Sequence, residues 1–240
     1  MDFVNSPSPN FGPRRGVAAP DMVVLHCTAM PDVDAALARL SDPVSEVSAH
    51  YLIGEDGTVW RLVEEEHRAW HAGLSAWGGV RDVNSHSIGI ELANAASLAA
   101  NPPFPEPQMG ALEALLADIV QRWRIAPARV LAHSDVAPGR KADPGPKFDW
   151  RRLALQGLSV WPAGMQGAEV AGDPWTAFKR SAERAGYRSP AGGGWPGVLE
   201  AVRLRFRPAA LGARFDVRDA TLLAALAREH PCIDPDAPSA

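Results

Sequence analysis

The residues best suited to chemistry lie in the stretch His133-Ser134-Asp135-Val136-Ala137-Pro138-Gly139-Arg140-Lys141-Ala142-Asp143-Pro144-Gly145-Pro146. It places a histidine, a lysine and an aspartate around two Pro-Gly turns. A hydrolytic zinc site takes three protein ligands, imidazoles and carboxylates among them, and leaves one position for water. A second imidazole lies upstream. The apolar run Met22-Val23-Val24-Leu25 leads into His26-Cys27-Thr28, which reads as a buried strand with a polar end. His133 follows another short strand expected over 128–132. Asp143 sits beyond a Pro-Gly turn, with enough chain to loop back onto the same ion. His26, His133 and Asp143 are therefore the candidate zinc ligands. Glu91 lies on the apolar run Ile88-Gly89-Ile90-Glu91-Leu92, where burial would raise its pKa and suit it to general acid/base work. Lys141 could bring an ammonium to a developing oxyanion.

Each residue also has a plainer reading. A single histidine is more often a hydrogen-bonded structural residue than a ligand. Glu91 fits an ion pair with an arginine, Lys141 a solvated cation beside Arg140, and Asp143 a turn residue ahead of proline. Cys27 neighbours His26, but successive strand residues point to opposite faces, so Cys27 reads as a small buried hydrophobe. There is no HExxH pattern, which argues against the helix-based zinc proteases.

Several elements must position these residues. The stretch 32–40 has a helical apolar period behind an Asp cap. Two strand-like runs, 49–53 and 58–63, flank Gly54-Glu55-Asp56-Gly57 and read as a hairpin. Gly89 reads as a point of close backbone approach. The clearest helix follows Pro107, with Met109, Leu112, Leu116, Ile119 and Trp123 on one stripe. Strands and helices alternate without a regular βαβ rhythm, so the expected fold is α/β, a mixed central sheet flanked by helices. After Trp150 the texture changes. The expected division is a catalytic domain over 1–156, a linker rich in Gly, Ala and Pro over 157–172, and a small three-helix domain over 173–240. Its first helix has Asp173 as cap, Pro174 at the first helical position and Gly186 at the end. The second runs from about Trp195 to Phe206, and the third starts near Asp216.

Composition bounds the partners. The chain has 240 residues, is 46% hydrophobic and 22% charged, and carries a net charge of -4, which implies no general affinity for nucleic acid. Two cysteines, Cys27 and Cys232, do not make a disulfide framework. The N-terminal residues lack a basic and apolar export pattern, and no apolar run is long enough to span a bilayer. The expectation is a cytoplasmic monomer without membrane insertion, or a periplasmic one if a signal was removed.

Five ordered blocks resemble a known family. They are Leu25-His26-Cys27-Thr28; Ser48-Ala49-His50-Tyr51-Leu52-Ile53 with Asp56-Gly57-Thr58-Val59; Ala69-Trp70-His71-Ala72-Gly73; Ser87-Ile88-Gly89-Ile90-Glu91; and the His133 to Pro146 stretch. Together they are similar to the zinc-dependent N-acetylmuramoyl-L-alanine amidases of the amidase type 2 class, whose fold is shared with peptidoglycan recognition proteins. The opening Ser8-Pro9-Asn10-Phe11-Gly12-Pro13-Arg14 resembles the AmiD-like branch. The resemblance implies Zn2+ on His26, His133 and Asp143, Glu91 as catalytic acid/base, and Lys141 as oxyanion stabiliser. It implies muropeptides or peptidoglycan as partners. Trp70, His71 and Trp77 are expected to line the substrate groove, with a structural role for His71 as the alternative. Arg61, Arg68 and Arg81 are open candidates for holding peptide carboxylates. The tail from about residue 173 resembles a three-helix peptidoglycan-binding domain, on helix spacing, Ala185-Gly186-Tyr187 and Arg205-Phe206-Arg207; a purely buttressing role is the alternative. Two further readings stand beside a recycling amidase: a binding protein that does not cut, and a lytic amidase acting on the intact wall.

Overall fold

The computed structural model describes residues 2–95, 102–164, 170, 172–189 and 194–234. Six strands form the main sheet: β1 (Val4–Asn5), β3 (Met22–Cys27), β4 (Tyr51–Ile53), β5 (Val59–Arg61), β7 (Ser87–Leu92) and β8 (Val130–Ala132). Their order is β1-β5-β4-β7-β3-β8. The β4–β5 pair is antiparallel, the expected hairpin, while β3 runs parallel to both β7 and β8. Two further strands, β2 (Phe11–Pro13) and β6 (His67–Ala69), form a small antiparallel pair of their own.

Strand alternation divides the residues of β3 between two cores. Val23 and Leu25 join Ile88, Ile90 and Leu92 in a cluster that is covered by α3 (Glu106–Trp123) and α5 (Trp150–Leu155). Met22 and Val24 face the other way, where they pack with Leu131 and with the C-terminal helices α6 (Pro174–Ala185), α7 (Gly194–Phe206) and α8 (Val217–Glu229). Another part of that second face is covered by α1 (Val33–Ser41), through Ala36 and Leu40 against Leu52. The second face therefore has two covers, and the candidate chemistry opens from it.

Local signals explain these elements. Asp32 caps α1 by accepting from the Ala35 amide at 2.8 Å, and Asp173 caps α6 by accepting from Thr176 at 2.8 Å. Gly186 ends α6 in the left-handed conformation, at φ 116°. The helix expected after Pro107 already starts at Glu106, with the proline inside its first turn where no amide partner is lost. Of the expected linker, Leu158, Ser159 and Val160 are buried; residues 165–169 and 171 lie outside those described, as does the tail beyond 234.

Candidate metal centre

Three parallel neighbours, β7, β3 and β8, end together and deliver the site. His26 is the fifth residue of β3 and pairs in register with Glu91 of β7, so both side chains leave the sheet on the Met22/Val24 face. His133 follows β8 directly and opens a one-turn helix, α4 (His133–Val136). This is the carboxyl end of a parallel set, where open α/β sheets place their ligands. The loop after α4 is held by backbone bonds from Arg140 and Lys141 to the Ala137 carbonyl, both 3.1 Å, and by the Ser134 amide to the Asp143 carbonyl, 3.1 Å. That returns Asp143 to His133.

The three candidate ligands converge. His26 Nδ1 lies 2.9 Å from His133 Nδ1 and 3.1 Å from Asp143 Oδ2, and His133 Nδ1 lies 3.0 Å from the same oxygen. Tetrahedral zinc with bonds of about 2.0–2.1 Å spaces its ligand atoms by about 3.3 Å, close to this triangle. The remaining nitrogen of His133 faces the Ala72 carbonyl at 3.1 Å. Arg140 Nη2, which donates to the same carbonyl at 2.7 Å, lies farther from Nε2, at 3.4 Å; the shorter contact is to the carbonyl, which only accepts, so it places the hydrogen on Nε2 and turns the lone pair of Nδ1 inward. Burial, then the neighbouring His133, lowers the His26 pKa to about 4, so its ring is neutral at physiological pH. Neutral imidazoles and a carboxylate around one point are a donor set that fits a divalent cation.

A cleft of about 330 Å³ opens over the triangle, lined by His26, His133, Asp143, Glu91, Lys141, Trp70 and His71 among others. Glu91 is half-buried, but its Oε2 is shielded and has no hydrogen-bond partner. Burial, with Asp143 nearby, raises its pKa to about 8 against the pull of Lys141. Glu91 is therefore not the satisfied ion pair of the plainer reading. Lys141 is exposed on the cleft wall.

Other expectations change. Trp77 does not line the cleft. It is 5% exposed and packs edge-on against Tyr187, ring centroids 5.0 Å apart, in the core beneath the C-terminal helices. Cys27 is half-buried and lines the cleft, though outside the triangle; at a strand end, alternation no longer hides a side chain. Gly89 makes room for the His71 ring rather than for backbone. Arg61 is engaged by Asn5 and Glu64, Arg68 by Asp82, and Arg81 by the Gly78 carbonyl. The arginine on the cleft wall is Arg39 of α1, which the sequence reading passed over; as an exposed residue on the polar side of an amphipathic helix it carried no distinguishing signal. His50 is a satisfied core residue: its Nδ1 accepts from the Gly89 amide at 2.9 Å, and its Nε2 faces the His67 carbonyl at 3.1 Å.

Comparison with known proteins identifies the family. Residues 16–146 match the amidase type 2 family, described as N-acetylmuramoyl-L-alanine amidase. The chain is 44% identical over 153 residues to N-acetylmuramoyl-L-alanine amidase AmiD of Escherichia coli K12, a stretch covering 59% of this chain and 54% of AmiD, so it spans about half of that relative's length. It is 34% identical over 164 residues to 1,6-anhydro-N-acetylmuramyl-L-alanine amidase AmpD of Citrobacter freundii, covering 61% of this chain and 86% of AmpD. In three dimensions it superposes on E. coli AmiD, solved with the substrate anhydro-N-acetylmuramic acid-L-Ala-D-gamma-Glu-L-Lys, with a TM-score of 0.78 and 34% identity, covering 90% of this chain and 92% of that one. AmpDh3 of Pseudomonas aeruginosa, solved with anhydromuramic pentapeptide, gives a TM-score of 0.79 and 32% identity, covering 94% and 96%. The chain belongs to the amidase type 2 family of N-acetylmuramoyl-L-alanine amidases.

Proposed function

We propose that this chain is a zinc-dependent N-acetylmuramoyl-L-alanine amidase. It hydrolyses the amide between the lactyl group of N-acetylmuramic acid, or of its 1,6-anhydro form, and the L-alanine of the stem peptide, in peptidoglycan turnover. The observation that carries this is the triangle of His26 Nδ1, His133 Nδ1 and Asp143 Oδ2, with edges near 3 Å, beside a carboxyl group whose Oε2 is shielded and unpaired. The muropeptides bound by AmiD and AmpDh3 indicate the substrate class.

His26, His133 and Asp143 would hold the zinc. Bound there, the ion supplies Lewis acidity to the scissile carbonyl and to a water. Glu91 takes the proton of the attacking water and passes it to the leaving amine nitrogen, a task its raised pKa suits. Lys141 sets an ammonium toward the carbonyl oxygen as negative charge develops there. Trp70 and His71 form part of the wall against which the substrate lies. The three C-terminal helices act as a buttress: α7 brings its Gly197 against the backbone of Pro138 and Gly139, in the loop that carries Lys141 and Asp143.

Mass spectrometry of a purified anhydro-muropeptide after incubation tests the reading. Free anhydro sugar and intact peptide should appear, disappear with chelator, and return with added zinc. No cleavage by the zinc-loaded protein, on soluble fragments or on intact peptidoglycan, would overturn it.

A further inference from the structure

Both candidate imidazoles offer the centre the same nitrogen, Nδ1, and the reason lies in one short segment behind them. Trp70, His71 and Ala72 follow β6, and Asn84 Oδ1 accepts from the amides of His71 and Ala72 at 3.1 and 2.8 Å, fixing that backbone. The Ala72 carbonyl receives His133 Nε2 at 3.1 Å. The His71 ring faces His26 instead, with Nδ1 3.0 Å from His26 Nε2. On its other side His71 Nε2 lies 3.2 Å from Ser87 Oγ, and Ser87 donates its hydroxyl to the Val83 carbonyl at 2.6 Å.

The hydrogens along this chain follow from the last contact. Val83 offers only a carbonyl, so the single hydroxyl hydrogen of Ser87 is committed to it. Ser87 Oγ can then only accept from His71, which puts a hydrogen on His71 Nε2. A neutral His71 is left with a bare Nδ1, and His26 Nε2 must donate to it. His26 Nδ1 is then bare and faces the centre. Gly89 completes the arrangement. A Cβ there would come within 2.5 Å of the His71 ring, so the glycine of β7 is what allows the ring its place.

We propose that His71, seated by Gly89 and oriented by Ser87, is a positioning residue that sets the tautomer of His26, as the Ala72 carbonyl sets that of His133. The inference rests on the reading that this triangle holds a metal. Groups that orient a ligating histidine contribute about 10–100-fold to metal affinity.

Two measurements on the full chain test it. Nitrogen-15 imidazole spectra of the metal-free protein should show both His26 and His133 with hydrogen on Nε2. In His71→Phe the His26 signal should become a mixture of tautomers, while His133 stays unchanged and acts as an internal control against general damage. Zn2+ affinity, measured by competition with a chromophoric chelator, should fall about 10–100-fold in His71→Phe and in Gly89→Ala. It should be largely restored in His71→Asn, whose Oδ1 takes the place of the ring Nδ1. Hydrogen on His26 Nδ1 in the wild-type protein would overturn the proposal even if no variant folds, as would unchanged zinc affinity in His71→Phe. Failure of the wild-type chain to bind Zn2+ would overturn the metal reading itself, a result separate from the tautomer measurement.

Discussion

Two of the buried polar residues of helix α4, His133 and Asp135, have opposite fates. His133 faces the cleft, where two imidazoles and a carboxylate crowd one point and Glu91 Oε2 has no partner. Asp135, two residues on, faces the C-terminal helices and is saturated. It accepts from the Ala132 amide at 2.9 Å, from the Tyr187 hydroxyl at 2.7 Å, and from Arg205. Arg205 also donates to the Val130 carbonyl at 3.1 Å and to Ser159 at 2.9 Å, and its guanidinium lies 4.1 Å from the Trp150 ring centroid. Both regions take charge out of water, at a cost that only good partners offset. Around Asp135 the carboxylate finds all its donors within the protein, though Arg205 Nε is left unpaired, and the cluster serves the fold. Around His133 the donors are incomplete for Glu91, whose Oε2 accepts no hydrogen bond. What separates the two clusters is the fate of the carboxyl group: both oxygens of Asp135 accept from donors of the protein, whereas Glu91 Oε2 accepts from none.

The sharpest way to break this comparison is to delete one group from each cluster. Glu91→Ala should keep the metal and the fold but lose about 10²–10⁴ in turnover, the usual contribution of a general acid/base. His133→Ala should lose both metal and turnover. Metal content and initial rates of amide cleavage read this out. Near-normal turnover in Glu91→Ala would remove the acid/base assignment. On the other side, Arg205→Met should destabilise the protein by about 3–5 kcal/mol, because it leaves the buried Asp135 carboxylate without its countercharge. Urea denaturation of the metal-free protein measures this. A loss below about 1 kcal/mol, the level of an exposed pair, would mean that the C-terminal helices only rest on the sheet.

The two clusters were unequally legible in the sequence. His26, Glu91 and His133 are polar residues within or directly after apolar strands, where they stand out against their surroundings, and the turn signals around 138–145 marked the loop that carries Asp143. The C-terminal helices were legible from caps and stripes. Their attachment was not. Asp135, Tyr187 and Arg205 each look like ordinary surface residues in their own segments, and only the packing of α7 against β8 and α4 brings them together. Trp77 failed for the same reason: an aromatic residue in an unpatterned loop is compatible with a groove or a core, and the helices that bury it lie far along the chain. Strands β1, β2 and β6 are two or three residues long, too short to show a period. His71 was legible as part of a motif, but its role depends on Gly89 and Ser87 across the sheet.

The smallest effect is also the most discriminating, because it has the opposite sign in the two clusters. Glu91 has a pKa near 8 in the folded protein against an ordinary value of 4.5. Between these values the folded state binds more protons than the unfolded one, so this group's contribution to stability is lost as pH rises from about 4.5 to 8. Glu91→Gln removes the ionisation while preserving shape. The metal-free variant should match the wild type near pH 5 and exceed it near pH 8. The expected excess is roughly 1–3 kcal/mol, since each tenfold change in proton affinity corresponds to about 1.4 kcal/mol and solvent at the cleft relieves part of it. Bound zinc should narrow the gap, since a cation favours the carboxylate. Asp135→Asn, by contrast, should lose stability across the whole range, because its carboxylate is already paired. Thermal melts of both variants with chelator present, at several pH values, decide the matter. A gap for Glu91→Gln that does not change with pH would mean that its carboxyl is as well satisfied as that of Asp135, and the distinction between the two clusters would fall.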